Sequence, residues 1–357
     1  MRMFSLDARA RAERLAANAK LEVAGERDPH RPVLLANLDY AWDPAWLGVL
    51  KARPNSALTS GGVPVLAHLE AGTPAEPVLR AMHNREALVG GGLELLDAET
   101  ADVSYHELRK RDRPFVVPLT EDTADAAERA AYNAAYKGVT DLLTLYLWRR
   151  PAFYLTRWAA AAGLSPNMVT LVGFAFCVLA FWLFWIGQYW AGFASGFVFM
   201  VLDTVDGKLA RCTGTSSKWG NVFDHGTDLI HPPFWWWAWL HGLDALGLEL
   251  EPVYSAMVLG AIVAGYVVQR VIEGIFMRRY GMHIHVWQRI DSQFRLITAR
   301  RNPNMVILFV ALLFDRPDLG IELVALWTLL SLIFHAVRLA QANARRECGE
   351  PVVSWLA

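Results

Sequence analysis

Long apolar runs in the C-terminal half constrain this chain more than any other feature. They lie at roughly 168–187, 190–211, 221–243, 252–275, 303–315 and 319–341. Most have the ~17–25 residues a helix needs to cross the hydrocarbon core of a bilayer. No water is available there, so each backbone amide must be satisfied within its own segment, and such runs resolve as helices. The expected fold is an all-α polytopic membrane domain of about six transmembrane helices, the fifth being short. Composition agrees: 54% of residues are hydrophobic and 19% charged, against about 25% charged in a soluble domain. A net charge of −1 gives no basic field for a polyanion, which excludes a nucleic-acid binder. The three cysteines (Cys177, Cys212 and Cys348) include no CxxC, so a disulfide scaffold is excluded too.

The connecting segments set the expected orientation. Those after the first, third and fifth runs, GQYW, GLDALGLELE and DRPDLG, hold a single Arg among several acids. The others hold Arg149, Arg150, Arg157, Lys208, Arg211, Lys218, Arg278, Arg279, Arg289, Arg295, Arg300, Arg301, Arg345 and Arg346. Positive-inside sorting therefore puts both termini in the cytoplasm, on a multi-pass protein of the inner (cytoplasmic) membrane. The opening MRMFSLDARARAERLAANAK lacks the apolar core of a secretory signal. Trp235, Trp236, Trp237 and Trp239 are expected to form an aromatic belt on the opposite face.

Residues 1–135 read as a small cytoplasmic α/β domain. A helical start at 6–24 is followed by strands within VLLANLDYAW, SGGVPVLAHL, LVGGGLELLD and RPFVVPL, with helical patterns at 77–84 and 124–137. Residues 136–163 interleave Arg149, Arg150 and Arg157 with Trp148, Tyr154 and Trp158, the composition of an amphipathic interfacial helix. The membrane domain then runs over 164–345.

Acids at membrane depth are costly and mark functional sites. Asp203 and Asp206 are spaced i, i+3 and share one helical face; Asp224 and Asp228, at i, i+4, share a face of the next. The polar CTGTSSKW between them is expected to reverse the chain, so that two antiparallel helices turn four carboxylates toward each other. Such a group needs a counter-charge. Hard oxygen donors without Cys or His suit Mg²⁺, Mn²⁺ or Ca²⁺, and two ions about 3.5–4 Å apart would clamp a phosphate. Gly207 and Gly220 remove side chains where a helix or nucleotide approaches, while Arg211 and Ser217 are placed to bind phosphate oxygens. A divalent-cation transporter is the competing reading. It would need acids open to both sides of the membrane and no neighbouring Arg.

The pattern D-x2-D-G-x2-A-R-x8-G-x3-D-x3-D runs without a gap from Asp203 to Asp228. By this signature the chain resembles the CDP-alcohol phosphotransferase (CDP-alcohol phosphatidyltransferase) family, over about half its length. The resemblance implies a Mg²⁺- or Mn²⁺-dependent transferase of phospholipid biosynthesis. An acceptor hydroxyl attacks the β-phosphorus of a CDP-alcohol and CMP leaves. Asp203, Asp206 and Asp224 are then metal ligands, and Asp228 is the general base and a further ligand. Asn167, Met168, Val169, Thr170, Gly207, Arg211 and Ser217 match positions that contact the CDP moiety. Family members are often homodimers.

On the acceptor side, the segment after the fourth run, with Arg295, Arg300 and Arg301, is the most basic part of the membrane domain; with Arg270 in that run and Arg338 in the sixth at similar depth it suits an anionic acceptor such as inositol phosphate or glycerol phosphate. Anionic lipid headgroups are the alternative partner for these arginines. A phosphatidyl donor fits this reading; transfer from a small CDP-alcohol to diacylglycerol or ceramide is the other branch. His283 and His285 form an HxH read as polar surface, and Arg270 with Glu273 as an i, i+3 pair. ANLDYAWDPAWLGVL and SGGVPVLAHL faintly resemble the later part of a nucleotidyltransferase. The early Gly-rich phosphate loop is missing, and Asp39 alone makes a poor metal site. A degenerate domain for assembly, regulation or docking is expected.

Overall fold

The computed structural model describes all residues except 90, 91, 102, 104–111, 137, 217 and 357; for 218, 219, 221, 224 and 225 it describes the backbone alone. The chain divides into two compact units. One comprises Met1–Gly138, Thr156–Ser165 and Lys208–Thr215, the other Val139–Leu155, Pro166–Gly207 and Ser216–Ala357.

The first unit is α/β. Its elements run β1 (Arg2–Met3), β2 (Leu6–Asp7), α1 (Ala8–Asn18), β3 (Val33–Ala36), β4 (Tyr40–Trp42), α2 (Ala45–Lys51), β5 (Ser56–Ser60), β6 (Val63–Leu69), α3 (Glu76–Asn84), β7 (Glu94–Asp97), β8 (Val116–Pro118) and α4 (Ala124–Ala134). Strands β3, β6, β5 and β7 form one sheet in that order, antiparallel except for the parallel β5–β7 pair. The β5–β6 turn uses Gly61 and Gly62, both at positive φ, a conformation that Gly adopts without a Cβ clash. Side chains alternate across a strand. Leu58 and Leu66 therefore pack with Trp42, Trp46 and Leu50 on one face, and Ala57 and Ala67 with Val78 and Met82 on the other. This two-sided burial explains why β6 reads as a nearly continuous apolar run. Asp39 is held in an ion pair by Arg85 at 2.9 Å.

Helix α5 (Arg149–Ala161) precedes six long or apolar helices: α6 (Pro166–Trp185), α7 (Tyr189–Thr213), α8 (Lys218–Gly242), α9 (Pro252–Tyr280), α11 (Arg301–Leu313) and α12 (Pro317–Glu347), with the short α10 (Arg289–Arg295) before α11. Their bounds lie close to the six apolar runs. Helices α6, α9 and α12 are long and apolar enough to cross a membrane; α11 is a shorter apolar helix. Local signals end these helices. Glu251 caps Tyr254 N and Gly281 closes α9 in the left-handed conformation, while Gln288 and Asp291 form a capping box on α10. Helices α6 and α8 approach so closely that a Cβ on Gly242 would lie 2.0 Å from the Phe184 carbonyl.

The aromatic belt is corrected by the packing. Trp235, Trp236 and Trp239 are buried, with only Trp237 exposed. Trp235 Nε1 donates to the Cys177 carbonyl and Trp239 Nε1 to the Pro317 carbonyl, and both rings pack on Phe184. A run of tryptophans on a helix covers all sides, so most of them meet neighbouring helices.

Candidate active site

The acids of α7 and α8 meet on an arginine from α11. Arg301 Nη2 lies 2.7 Å from Asp203 Oδ2, and its Nη1 2.7 Å from Asp228 Oδ1. Two carboxylates 25 positions apart in sequence thus share one guanidinium. Its Nε donates to Asn302 Oδ1 at 3.0 Å, and its face lies 4.8 Å from the Phe199 ring centroid. Asn302 Nδ2 in turn donates to Asp141 Oδ1 at 3.0 Å and to Thr144 Oγ1 at 3.3 Å. Asp141 also accepts from Thr144 N and Oγ1. Burial alone would push its carboxyl up; Arg295 and these hydrogen bonds outweigh that and hold it below the usual carboxylate range.

Asp206 points elsewhere. Thr170 Oγ1, in the first turns of α6, donates to Asp206 Oδ2 at 2.6 Å. The other oxygen, Oδ1, is buried and has no hydrogen-bond partner among the described residues. A buried carboxylate oxygen left bare carries a desolvation penalty that a cation removes. The donor set is hard oxygen, so a divalent ion of the Mg²⁺ type fits. The side chain of Asp224 and all of Ser217 lie outside the described residues.

The other residues expected to touch CDP are spread over two helices. Met168 is exposed and Val169 buried at the start of α6, beside Asn167; Gly207 and the exposed Arg211 lie in the C-terminal half of α7. Asn167 and Met168 exposed, Val169 buried and Thr170 half-buried make a helix turn packed on one side.

A second constellation gathers the remaining arginines. Arg270 Nη2 and Arg300 Nη2 each lie 2.7 Å from Glu273 Oε1, and His285 Nε2 is 3.2 Å from the same oxygen. His285 is buried, contrary to its reading as polar surface: the short helical turn at Ile284–Val286 carries it inward. Burial holds its ring well below the ordinary histidine range. The Glu273 pairing goes beyond the i, i+3 contact with Arg270. Glu273, His285 and His335 hold their ligand atoms within 4.8 Å of one another, a spacing that could hold a metal ion. Two guanidiniums already hold Glu273, and Arg300 Nη2 is 3.2 Å from His285 Nε2, so an anion suits the cluster better than a cation. Arg270 Nε and Arg300 Nε are buried without hydrogen-bond partners among the described residues. Arg295 is buried too.

Sequence reasoning missed Asp141, Thr144 and His335, and read His285 as surface. The acid and hydroxyl within the interfacial segment 136–163 were the available signal for the first two. His335 carried none, because its meeting with His285 joins a loop to α12.

Known proteins of one family resemble part of this chain. The family described as CDP-alcohol phosphatidyltransferase matches residues 163–333. Archaetidylinositol phosphate synthase of Pyrococcus horikoshii is 28% identical over 202 residues, 56% of this chain and 95% of that protein. Phosphatidylinositol phosphate synthase of Mycolicibacterium smegmatis is 36% identical over 115 residues, covering 29% of this chain and 51% of that protein. The crystal structure of the Mycobacterium tuberculosis phosphatidylinositol phosphate synthase with CDP-DAG bound matches with a TM-score of 0.39 and 20% identity, over 53% of this chain and 94% of that one.

Proposed function

Residues 163–333 place this chain in the CDP-alcohol phosphatidyltransferase family, and from that premise we propose that it transfers a phosphatidyl-type group from a CDP-alcohol to a phosphorylated polyol, releasing CMP. Enzymes of this family are integral membrane proteins of phospholipid biosynthesis and generally use divalent metals. The observation that carries the acceptor assignment is the pair of buried Nε donors of Arg270 and Arg300, which have no hydrogen-bond partner among the described residues. Two guanidiniums against one carboxylate leave excess positive charge, and the two bare N–H groups offer a phosphate charge-assisted hydrogen bonds. The Pyrococcus and Mycolicibacterium relatives are named as synthases of archaetidylinositol phosphate and phosphatidylinositol phosphate, which supports an acceptor of this class.

In the proposed reaction the acceptor hydroxyl oxygen bonds to the β-phosphorus as the bond from that phosphorus to the bridging oxygen breaks. The electron pair leaves with CMP. Asp228, partly exposed beside the shared Arg301, receives the hydroxyl proton. Thr170 fixes one oxygen of Asp206, leaving the other for Mg²⁺ or Mn²⁺. When bound there, such an ion would neutralise charge on the pyrophosphate and lower the hydroxyl pKa. Asn167, Met168, Val169, Thr170, Gly207, Arg211 and Ser217 form the proposed CDP contacts, and Asp203 and Asp224 complete the acid set. The six helices α6, α7, α8, α9, α11 and α12 are proposed to span the cytoplasmic membrane with both termini inside.

The test is CMP release from purified protein against a matrix of CDP-alcohols and acceptors. CDP-diacylglycerol with inositol phosphate is expected to react fastest. Faster reaction of a small CDP-alcohol with diacylglycerol would reverse the donor assignment. Asp228→Asn is expected to abolish release, a loss of 10²-fold or more, with folding and insertion intact; full turnover would remove the base assignment.

A further inference from the structure

We infer that Trp355 is a positioning residue of the acceptor site: together with Ser354 it pins the turn at Ile284–Val286 that carries His285 in against Glu273 and Arg300. This inference rests on the proposed acceptor reading and adds to it a determinant that touches neither substrate.

A three-residue turn is too short to satisfy its own carbonyls, and its residues here are buried, so donors must come from elsewhere. Residues 352–356 and α10 supply them. Ser292 Oγ donates to the His285 carbonyl and Ser354 Oγ to the Val286 carbonyl, each at 2.7 Å. Trp355 N is shared between the carbonyls of Val286 and Trp287, at 3.3 and 3.1 Å. Trp355 Nε1 donates to Ser292 Oγ at 2.9 Å, so one hydroxyl links the indole to the His285 carbonyl. The Arg289 guanidinium lies 5.5 Å from the Trp355 ring centroid, and Val352 packs against Phe276, Ile284 and Trp287. Helix α12 holds the same segment from another side. Arg338 donates to both oxygens of Asp291, at 2.6 and 2.9 Å, and to Gln288 Oε1 at 2.6 Å, with its guanidinium 4.2 Å from the Trp287 ring centroid. Gripped in this way, the turn sets His285 Nε2 at 3.2 Å from both Glu273 Oε1 and Arg300 Nη2. A displacement of about 1 Å by a residue remote from the chemistry is worth up to about 10²-fold. The contacts of Ser354 and Trp355 fall on the segment that carries His285, so the expected effect falls on the acceptor and spares the CDP-alcohol.

The test takes the whole chain in detergent and uses two readouts. Hydrogen exchange over 284–292 reports the turn without turnover. Trp355→Ala and Ser292→Ala are expected to speed that exchange roughly tenfold, with the amides of α9 and α12 unchanged. CMP release with CDP-diacylglycerol and inositol phosphate reports the site. The same variants are expected to raise the KM for inositol phosphate about tenfold and that for CDP-diacylglycerol less than about twofold. Trp355→Phe keeps a ring and the backbone N–H but loses the bond to Ser292, and is expected to fall between Trp355→Ala and wild type. Added to Ser292→Ala it is expected to bring no further rise, because both remove one linkage. Val353→Ala, at an exposed position of the same segment, is expected to match wild type. An unchanged acceptor KM in Trp355→Ala, or an equal rise for both substrates, would overturn the inference. If that variant fails to fold, Trp355→Phe and Ser292→Ala decide it by the same split. Wild-type protein that releases no CMP with any phosphorylated acceptor would overturn the acceptor reading beneath the inference; exchange at 284–292 tells that result apart.

Discussion

Single side chains set the chemistry through their neighbours. Arg300 bonds both oxygens of Glu273, at 2.7 and 2.8 Å, and still carries a bare Nε. Arg300→Ala is therefore expected to raise the KM for a phosphorylated acceptor tenfold or more, about 1.4 kcal/mol, with little change for an uncharged one; steady-state kinetics with both acceptors checks it. Asp141 is held charged by Arg295, Thr144 and Asn302 against the burial that opposes it. Its folded pKa lies below its unfolded one, so its contribution is present above the usual carboxylate pKa of about 3.9 and is lost as pH falls through the folded value. Asp141→Ala is expected to cost about 3–5 kcal/mol at neutral pH, and to narrow the gap to wild type below pH 4, measured by thermal unfolding in detergent. His285 acts in the opposite range. Burial depresses its pKa, so below about 6.5 the unfolded chain binds a proton that the folded one does not, and stability falls with falling pH at up to about 1.4 kcal/mol per pH unit.

Helices are placed by what they exclude as much as by what they bury. The Gly242–Phe184 approach lets α8 lie against the end of α6, and Trp239 fills the space beside it, touching Phe184 and Tyr189. Trp239→Ala is expected to cost about 3–5 kcal/mol. Trp237→Ala, on the exposed side, is expected to cost far less. Equal losses in thermal unfolding would restore the aromatic-belt reading. The helix positions were legible in sequence to within a few residues because apolar length and flanking Pro, Gly and charge are local signals. The side of α8 that its tryptophans face was not legible, since a cluster of four covers more than one face. Residues Pro232 and Pro233 sit inside α8 without ending it, as membrane helices tolerate when neighbours take up the freed carbonyls.

The chain as a whole joins an α/β unit to an apolar helical unit. Helix α1 belongs with the last turns of α7 in the first unit: Arg14 donates to the Thr213 carbonyl and Asn18 to the Gly214 carbonyl, the orphan acceptors of a helix end. Cysteine placement offers a test of orientation. Cys348 is exposed while Cys177 and Cys212 are buried. With the C-terminus in the cytoplasm, a membrane-impermeant maleimide is expected to leave Cys348 unlabelled in intact cells and to label it after permeabilisation; labelling of intact cells would reverse the orientation. By itself the sequence determined the aspartate motif, the family it resembles and the positions of the apolar helices, because spacing along one helix and apolar length are properties of contiguous residues. Only the tertiary structure decided which cation the acids share, since Arg301 reaches Asp203 and Asp228 from 98 and 73 residues away. It alone also drew Glu273, His285, Arg270 and Arg300 into one buried cluster. Partners so distant leave no periodic trace, and their meeting depends on how α7, α8, α9 and α11 pack.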